Sequence, residues 1–501
     1  MATIAAPVPA TEEVGNGAEL KHGTLSLFDS TMIATASVAP AYSMAATIGL
    51  LVAAVGLSSP AAILVSFVPV LFVAVAYYYM NRQDPNCGAS YTWISKTLSP
   101  YVGWFTGWVQ TAASVLFCVA APILAGTNTL ALLQSLKVVS AETAADTKVI
   151  AVVGLLWLLL VTWMVVVGIR MTANFQWVMV AIEYILVLGF SVAALLKIAA
   201  SHPTGSQAVS AGWFNPFSLQ GISGLAAGAV LGVFFFWGWD TAANLNEESE
   251  DADTTPGYAG MISMFVLLLV FMVSSAAVQA LVPADTISKQ GANALFYFAE
   301  QVFPAPLSYL MVVAVLASTV ATTQTTLLPA TRLTFSMARD GVFPRIFARI
   351  HSGWQTPWLG TIIIAAVAVV GIGLTTFNKN INDTFAGMIA NIGVLIAFYY
   401  GVTGIACAWA FRKSLTKPPH MILLAGILPA LSGLFLLWIG YQVVAQATGG
   451  WRASIPVLVT LLIGIPLVVI AKVLTKSAFF DTPTVEYIHK GKGEAETAKV
   501  V

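Results

Sequence analysis

Two acidic side chains stand where the sequence is otherwise apolar. Glu183 lies in Val180-Ala-Ile-Glu183-Tyr184-Ile, and Asp240 closes the run Phe234-Phe-Phe236-Trp237-Gly238-Trp239-Asp240. Ionisable residues are costly inside an apolar span and mark ion, proton or substrate paths by default. A carboxyl in such a place can exchange a proton, hold a cation or receive an amine. The plain alternative for Glu183 is a permanently protonated acid hydrogen-bonded to a carbonyl. A third chemical feature is a run of hydroxyls, Ser318-Thr319, Thr322-Thr323 and Thr325-Thr326. Residues 319, 322, 323 and 326 share one helical face. Such a face borders a polar cavity or joins helices by hydrogen bonds. Ser318 and Thr319 are also candidate partners of Glu183 around a bound cation.

These residues need elements to position them, and composition says what those are. The chain has 501 residues, 58% hydrophobic and 9% charged, whereas soluble proteins carry about 25% charged residues. Apolar runs such as Ile150 to Val167 and Met261 to Leu281 recur along the chain. They match the ~20 residues that cross ~30 Å of hydrocarbon. The expectation is an all-α integral membrane protein with twelve transmembrane helices. The expected spans are 27–55, 60–80, 101–133, 149–169, 173–199, 220–246, 258–282, 304–334, 357–377, 384–411, 420–446 and 454–475. Residues 1–25 and 477–501 are read as cytoplasmic tails around a transporter domain at 26–476. Residues 1–25 carry acids and lack the basic and apolar regions of a signal peptide. With both ends inside, sixteen of the 22 Lys and Arg fall on the cytoplasmic side, as the positive-inside rule expects.

Two spans are interrupted. In the first, Ile33-Ala-Thr-Ala-Ser37-Val38-Ala39-Pro40-Ala-Tyr42-Ser43 contains a proline among small residues, and proline removes a backbone donor and clashes with the preceding turn. In the sixth, Gly238 sits between two tryptophans and next to Asp240. Five spans separate the two interruptions. Five is odd, so the second unit enters the bilayer inverted. Inverted repeats with broken first helices hold substrate at half-helix ends near the midplane. The bland alternative is two ordinary kinks.

A longer motif is more specific. Arg332-Leu-Thr-Phe-Ser-Met-Ala338-Arg339-Asp340-Gly341-Val-Phe-Pro344, with Thr356-Pro357 beyond it, resembles the loop after span 8 in the amino acid–polyamine–organocation transporters. Gly88-Ala-Ser-Tyr91, Gly103-Trp104, Gly107-Trp108, the Phe234 to Asp240 run and Glu247-Glu248 resemble other pieces of that family's pattern. The resemblance spans roughly residues 25 to 475. It implies the LeuT-type fold, with 5+5 inverted repeats at about 26–200 and 220–411, discontinuous helices 1 and 6, and peripheral helices at about 420–475. The family's glycine-rich span-1 motif is replaced here by Ala36-Ser37-Val38-Ala39-Pro40. Many members carry a lysine where this chain has Glu183.

An amino-acid site must satisfy a carboxylate and an ammonium away from bulk water. Amides freed by the span-1 break, from Ser37, Val38 and Ala39 to Tyr42, suit the carboxylate, with Ser43 as a hydroxyl donor. Carbonyls freed at span 6, from Phe234, Phe235 and Trp237, suit the ammonium. Phe234 matches the family's gating aromatic, with Phe236, Trp237 and Gly238 beside it; a ring over a desolvated ammonium contributes ~1–2 kcal/mol. Glu183 and Asp240 are the expected coupling residues, with a proton as coupling ion and sodium as the alternative. Arg339 and Asp340 are expected to pin the inner gate by ion pairing. Asn391 and Tyr399 or Tyr400 are further candidates to line the outer path.

Other functional classes fit less well. Zero net charge argues against nucleic-acid binding. No Walker-type loop occurs, and the five histidines lie in loops, tails or span edges. Cys87, Cys118 and Cys407 are too scattered for a metal site or disulfide framework. No cofactor is expected. The expected function is secondary transport of an amino acid, with a polyamine or other organic amine as the alternative substrate. A transport-like sensor or a channel is the alternative from another class.

Overall fold

The computed structural model describes residues 19–219, 221–377, 381–413, 419–445, 454–487 and 499–500. They are built almost entirely of helices. The first interrupted helix comprises α1 (Leu27–Val38) and α2 (Pro40–Val55). It leads into α3 (Ser59–Gln83), a short α4 (Ser90–Thr97), α5 (Pro100–Ser135), a short α6 (Ala141–Ala145), α7 (Thr147–Val167) and α8 (Ile169–Ser201). The second interruption separates α9 (Gly221–Phe235) from a single turn, α10 (Thr241–Asn244). Then come α11 (Thr255–Leu281), α12 (Ala284–Gln290), α13 (Ala294–Val302), α14 (Tyr309–Arg339), α15 (Trp358–Thr375), α16 (Ile381–Ala410), α17 (Leu428–Ala445) and α18 (Ile455–Thr475). The strands among the described residues are Val485–Glu486 and Lys499–Val500, paired antiparallel.

Ten helical runs among the described residues are long and apolar enough to cross a membrane. Helices are the expected solution, because hydrocarbon offers no partner for a backbone amide or carbonyl. α14 is the most buried of these runs and packs against α5, α8, α1 and α7. α18 lies at the periphery against α5, with Leu474 76% exposed. An apolar side chain so exposed fits a lipid-facing wall. Glycine permits the closest helix approach: a Cβ at Gly154 would come within 2.4 Å of the Pro122 carbonyl oxygen.

Several boundaries differ from expectation. The span expected at 304–334 is helical from Tyr309 to Arg339. Pro304 and Pro306 keep the expected first turn out of the helix, and no breaker halts the other end until Gly341, which has φ 74°. The span expected at 220–246 is not one helix, because α9 ends at Phe235 and residues 236–240 form turns. The span expected at 420–446 starts with π-helical turns at Ile422–Ile427 before α17.

The segments beside the helices are tied to the Lys/Arg-rich end. The Thr24 and Leu25 amides both donate to the Glu248 carbonyl, at 2.8 and 3.0 Å. Beyond α18, the Ser477 hydroxyl donates to the Asp340 carbonyl at 2.9 Å, and the Tyr487 amide donates to the Ala410 carbonyl at 3.0 Å.

Candidate functional site

The break between α1 and α2 is a single residue. Ala39 adopts left-handed backbone, φ 52° and ψ 70°, and Pro40 opens α2. Alanine has a small side chain to place there, and proline is preorganised for a first helical position. A break leaves carbonyls without partners on one side and amides on the other. The Ser37 carbonyl accepts from the Thr322 hydroxyl at 2.7 Å, and the Val38 carbonyl accepts from the Ser43 hydroxyl at 2.7 Å. On the far side, the Ala41 amide donates to Glu183 Oε1 at 2.6 Å, and the Tyr42 amide donates to the Ser318 hydroxyl at 3.0 Å. The Ser318 hydroxyl itself donates to Glu183 Oε1 at 2.7 Å. Three distant segments, from α1–α2, α8 and α14, thus close on one another.

This geometry gives the freed amides partners within the protein. The Ala41 amide, assigned from sequence to a substrate carboxylate, already holds the protein's own carboxyl group. The positive end of α2 favours that charge. Glu183 is fully buried, and among the described residues its Oε2 atom has no hydrogen-bond partner. Of the two hydroxyls considered for a cation site, that of Ser318 donates to Glu183. The Thr319 hydroxyl instead donates to the Val315 carbonyl of its own helix at 2.6 Å, because Thr319 lies about 100° around α14 from Ser318.

The second break packs directly on the first. Gly238 has φ 118°, and a Cβ there would come within 2.7 Å of the Ser37 carbonyl oxygen. The Ser37 and Thr241 hydroxyls lie 2.9 Å apart. The Phe236 amide donates to the Val233 carbonyl and the Trp237 amide to the Phe234 carbonyl, at 3.1 and 3.2 Å. These three-residue bonds tighten the chain, so side chains three apart eclipse. Phe234 and Trp237 therefore share one face. Their rings cluster with Tyr42 and Phe117: Phe117–Trp237 at 5.2 Å, Tyr42–Phe117 at 5.4 Å, Phe234–Trp237 at 6.3 Å. Phe236 leaves this cluster and packs against Phe67 and Phe271. Its ring is thus set apart from the face that Phe234 and Trp237 share.

Asp240 is held by α16. Tyr399 donates to its Oδ2 at 3.0 Å and Tyr400 to its Oδ1 at 2.8 Å, while the Trp237 indole donates to the Tyr399 hydroxyl at 2.7 Å. Both carboxylate oxygens have donors, so Asp240 ties the second break to α16. Tyr399 and Tyr400, candidates for the outer path, both donate to this acid.

At the Lys/Arg-rich end, Arg339 pairs with Glu247 and Asp340 takes a separate partner. Arg339 Nη1 and Nη2 meet Glu247 Oε2 and Oε1 at 3.0 and 2.8 Å. The Cys87 amide also donates to Glu247, at 2.9 Å. Burial opposes ionisation of Glu247, yet the hydrogen bonds and charge of Arg339 hold its carboxyl below the usual carboxylate range. Asp340 accepts from the Tyr91 hydroxyl at 2.7 Å. Burial pushes the Asp340 carboxyl up, against the lowering effects of Tyr91 and Arg339. A second pair escaped the sequence reading: Arg332 Nε and Nη2 meet Glu248 Oε2 and Oε1, both at 3.0 Å and fully buried. The available signal was an arginine inside a long apolar helix together with two adjacent acids in a chain poor in charge.

A buried polar junction lies where the two helix breaks meet, among helices long and apolar enough to cross a membrane. The family profile described as amino acid permease matches residues 25–470, and the chain belongs to that family. It shares 25% identity with the low-affinity putrescine importer PlaP of Escherichia coli (strain K12), over 71% of this chain and 74% of that protein. It shares 26% with the branched-chain amino acid permease BcaP of Lactococcus lactis subsp. cremoris, over 76% of this chain and 81% of that protein. The methylthioribose transporter of Bacillus subtilis is 24% identical, over 84% of this chain and 88% of that protein. The family consists of multi-pass membrane transporters and not enzymes.

Proposed function

We propose that this protein is a proton-coupled secondary transporter of an amino acid, working by alternating access around the two meeting breaks. The reading includes twelve spans in a LeuT-type 5+5 inverted arrangement, both termini cytoplasmic, and a place in the cytoplasmic membrane. One observation carries it: the Ala41 amide at the start of α2 is occupied by Glu183. An ionised Glu183 and a substrate carboxylate compete for the same amide and for the Ser318 hydroxyl. Protonation removes the charge that favours Glu183 at the positive helix end and frees both donors. Substrate and proton then bind together, which is the requirement for symport. Ser37, Val38, Ala39, Tyr42, Ser43 and Gly238 build the junction in this reading. Phe234 and Trp237 close over it, and Asp240 holds the second break through Tyr399 and Tyr400.

A second reading has its own support. The unpartnered Oε2 of Glu183 can accept from an ammonium or a cation. An organic amine without a carboxylate would leave the Ala41 bond intact and use this free oxygen. The similarity to a putrescine importer favours this reading, and the similarity to BcaP favours the first.

Glu183→Gln tests the coupling in reconstituted vesicles. The expected result is loss of proton-driven accumulation with exchange retained; accumulation that survives the change refutes the coupling role. Thermal shifts with amino acids against diamines separate the two substrates. A true ligand at ~100 times its Kd adds ~2.7 kcal/mol.

A further inference from the structure

A cavity of about 1290 Å³ lies at the Lys/Arg-rich end, and no residue of either helix break lines it. Its walls come from α4, α5, the end of α14 and the turn after it, the last turns of α18 and the segment beyond α18. It has two chemically distinct parts. One is apolar: Trp104 and Trp108 on α5 face Leu467, Ile470 and Leu474 on α18. The two indole N–H groups are engaged, with the Val342 and Thr460 carbonyls at 3.0 and 2.9 Å. Positions 467, 470 and 474 follow the three- and four-residue spacing of one helix face. Ile470 and Leu474 are 47% and 76% exposed, so this wall opens toward the surface that meets hydrocarbon.

The other part is cationic. Lys96, Arg339, Arg345 and Lys476 line it, against Asp340 as the lining acid. Lys96 is engaged by Asp84 at 2.6 Å and Arg339 by Glu247 at 2.8 Å. Asp340 already accepts from Tyr91. Arg345 and Lys476 have no ion-pair partner among the described residues. An apolar wall continuous with the lipid-facing side and two uncommitted cations at its polar end match an amphiphile with an anionic head.

We propose that this cavity is a binding site for an anionic phospholipid, with its phosphate between Arg345 and Lys476 and its acyl chains along Leu467, Ile470 and Leu474. A basic pocket between helices at the membrane surface suits a phosphate head group. The acyl chains explain why the apolar wall is continuous with the exposed face of α18. The lipid would bridge the turn after α14 to the end of α18 and so brace the segment that carries Arg339 and Asp340.

The test is native mass spectrometry of the full-length protein, delipidated in a neutral detergent. It is titrated with phosphatidylglycerol, phosphatidylcholine and inorganic phosphate in separate arms. The expected result is selective retention of phosphatidylglycerol that inorganic phosphate does not displace. Arg345→Gln combined with Lys476→Gln should weaken that retention roughly 30-fold, from the usual contribution of two basic residues at an anionic surface. Both residues are exposed, and size-exclusion chromatography checks that the variant remains folded. Equal retention of phosphatidylcholine, or undiminished retention by the double variant, overturns the proposal. Displacement of the lipid by inorganic phosphate would assign the cations to a soluble anion and overturn it as well.

Discussion

The Arg332–Glu248 pair offers a quantitative test of how the Lys/Arg-rich end is held. Both side chains are essentially inaccessible, at 0% and 1% exposure. Their two hydrogen bonds, each 3.0 Å, are parallel and bidentate. Arg332 Nη1 also donates to the Thr331 hydroxyl at 3.2 Å, and the Glu248 backbone carbonyl receives the Thr24 and Leu25 amides. The pair therefore joins α14, the segment after α10 and the start of the described chain. Removing one partner of such a pair leaves a buried charge uncompensated and costs about 3–5 kcal/mol, whereas replacing both with apolar groups of similar volume is often close to neutral. Arg332→Met and Glu248→Leu should each destabilise by that amount, and the double variant by less than either single. Cys87, Cys118 and Cys407 are all buried, so a thiol-reactive fluorophore reports unfolding of the purified protein in detergent. Single variants within about 1 kcal/mol of the parent would refute the claim that the charges depend on each other. So would a double variant whose loss equals the sum of the singles.

Other outcomes follow from the same geometry. Gly238→Ala should abolish transport, because its Cβ would meet the Ser37 backbone at 2.7 Å and the backbone there has φ 118°; uptake near the parent rate would show that the breaks do not need this close approach. The Glu247 carboxyl lies below its ordinary value of 4.5, so its contribution to stability is present above pH ~4.5 and lost as the pH falls through the lower folded value. Glu247→Gln should flatten that acid-side loss in unfolding curves recorded between about pH 3 and 6; an unchanged curve would assign the loss to other carboxylates.

The sequence made some of this architecture legible and concealed the rest for definite reasons. Pro40 and Gly238 disclose the breaks because their effects are local: one removes a donor, and the other permits positive φ. Glu183 and Asp240 are conspicuous because acids are rare inside apolar helices. Their partners are not conspicuous. Glu183 reaches Ala41 across 142 positions, and Asp240 reaches Tyr400 across 160. Periodicity records which face a residue occupies and carries no record of the helix opposite. The same limit explains Arg339, whose nearest acid in sequence is Asp340 but whose partner is Glu247, 92 positions away. Phe236 shows a subtler case. Its place in an aromatic run does not reveal its direction: local tightening to three residues per turn aligns Phe234 with Trp237, and Phe236 packs against Phe67 and Phe271.

The backbone at the first break also explains why the absence of glycine there is workable. A glycine-rich break leaves amides bare and able to approach a ligand closely. Here Ala39 makes the turn, and side chains supply the missing partners: Thr322 and Ser43 for the carbonyls, Glu183 and Ser318 for the amides. Buried irregular backbone at membrane depth persists only when such partners exist. A ligand carboxylate that uses the Ala41 amide must therefore displace Glu183 and cannot simply fill a bare cradle. The cost of that displacement falls when Glu183 carries a proton. Glu183→Gln, which is neutral at every pH, should thus bind a carboxylate substrate with an affinity independent of pH. The parent should bind it more tightly as the pH falls through the titration of Glu183. Isothermal titration of the purified protein distinguishes the two, and a pH-dependent affinity retained in the glutamine variant would place the titrating group elsewhere.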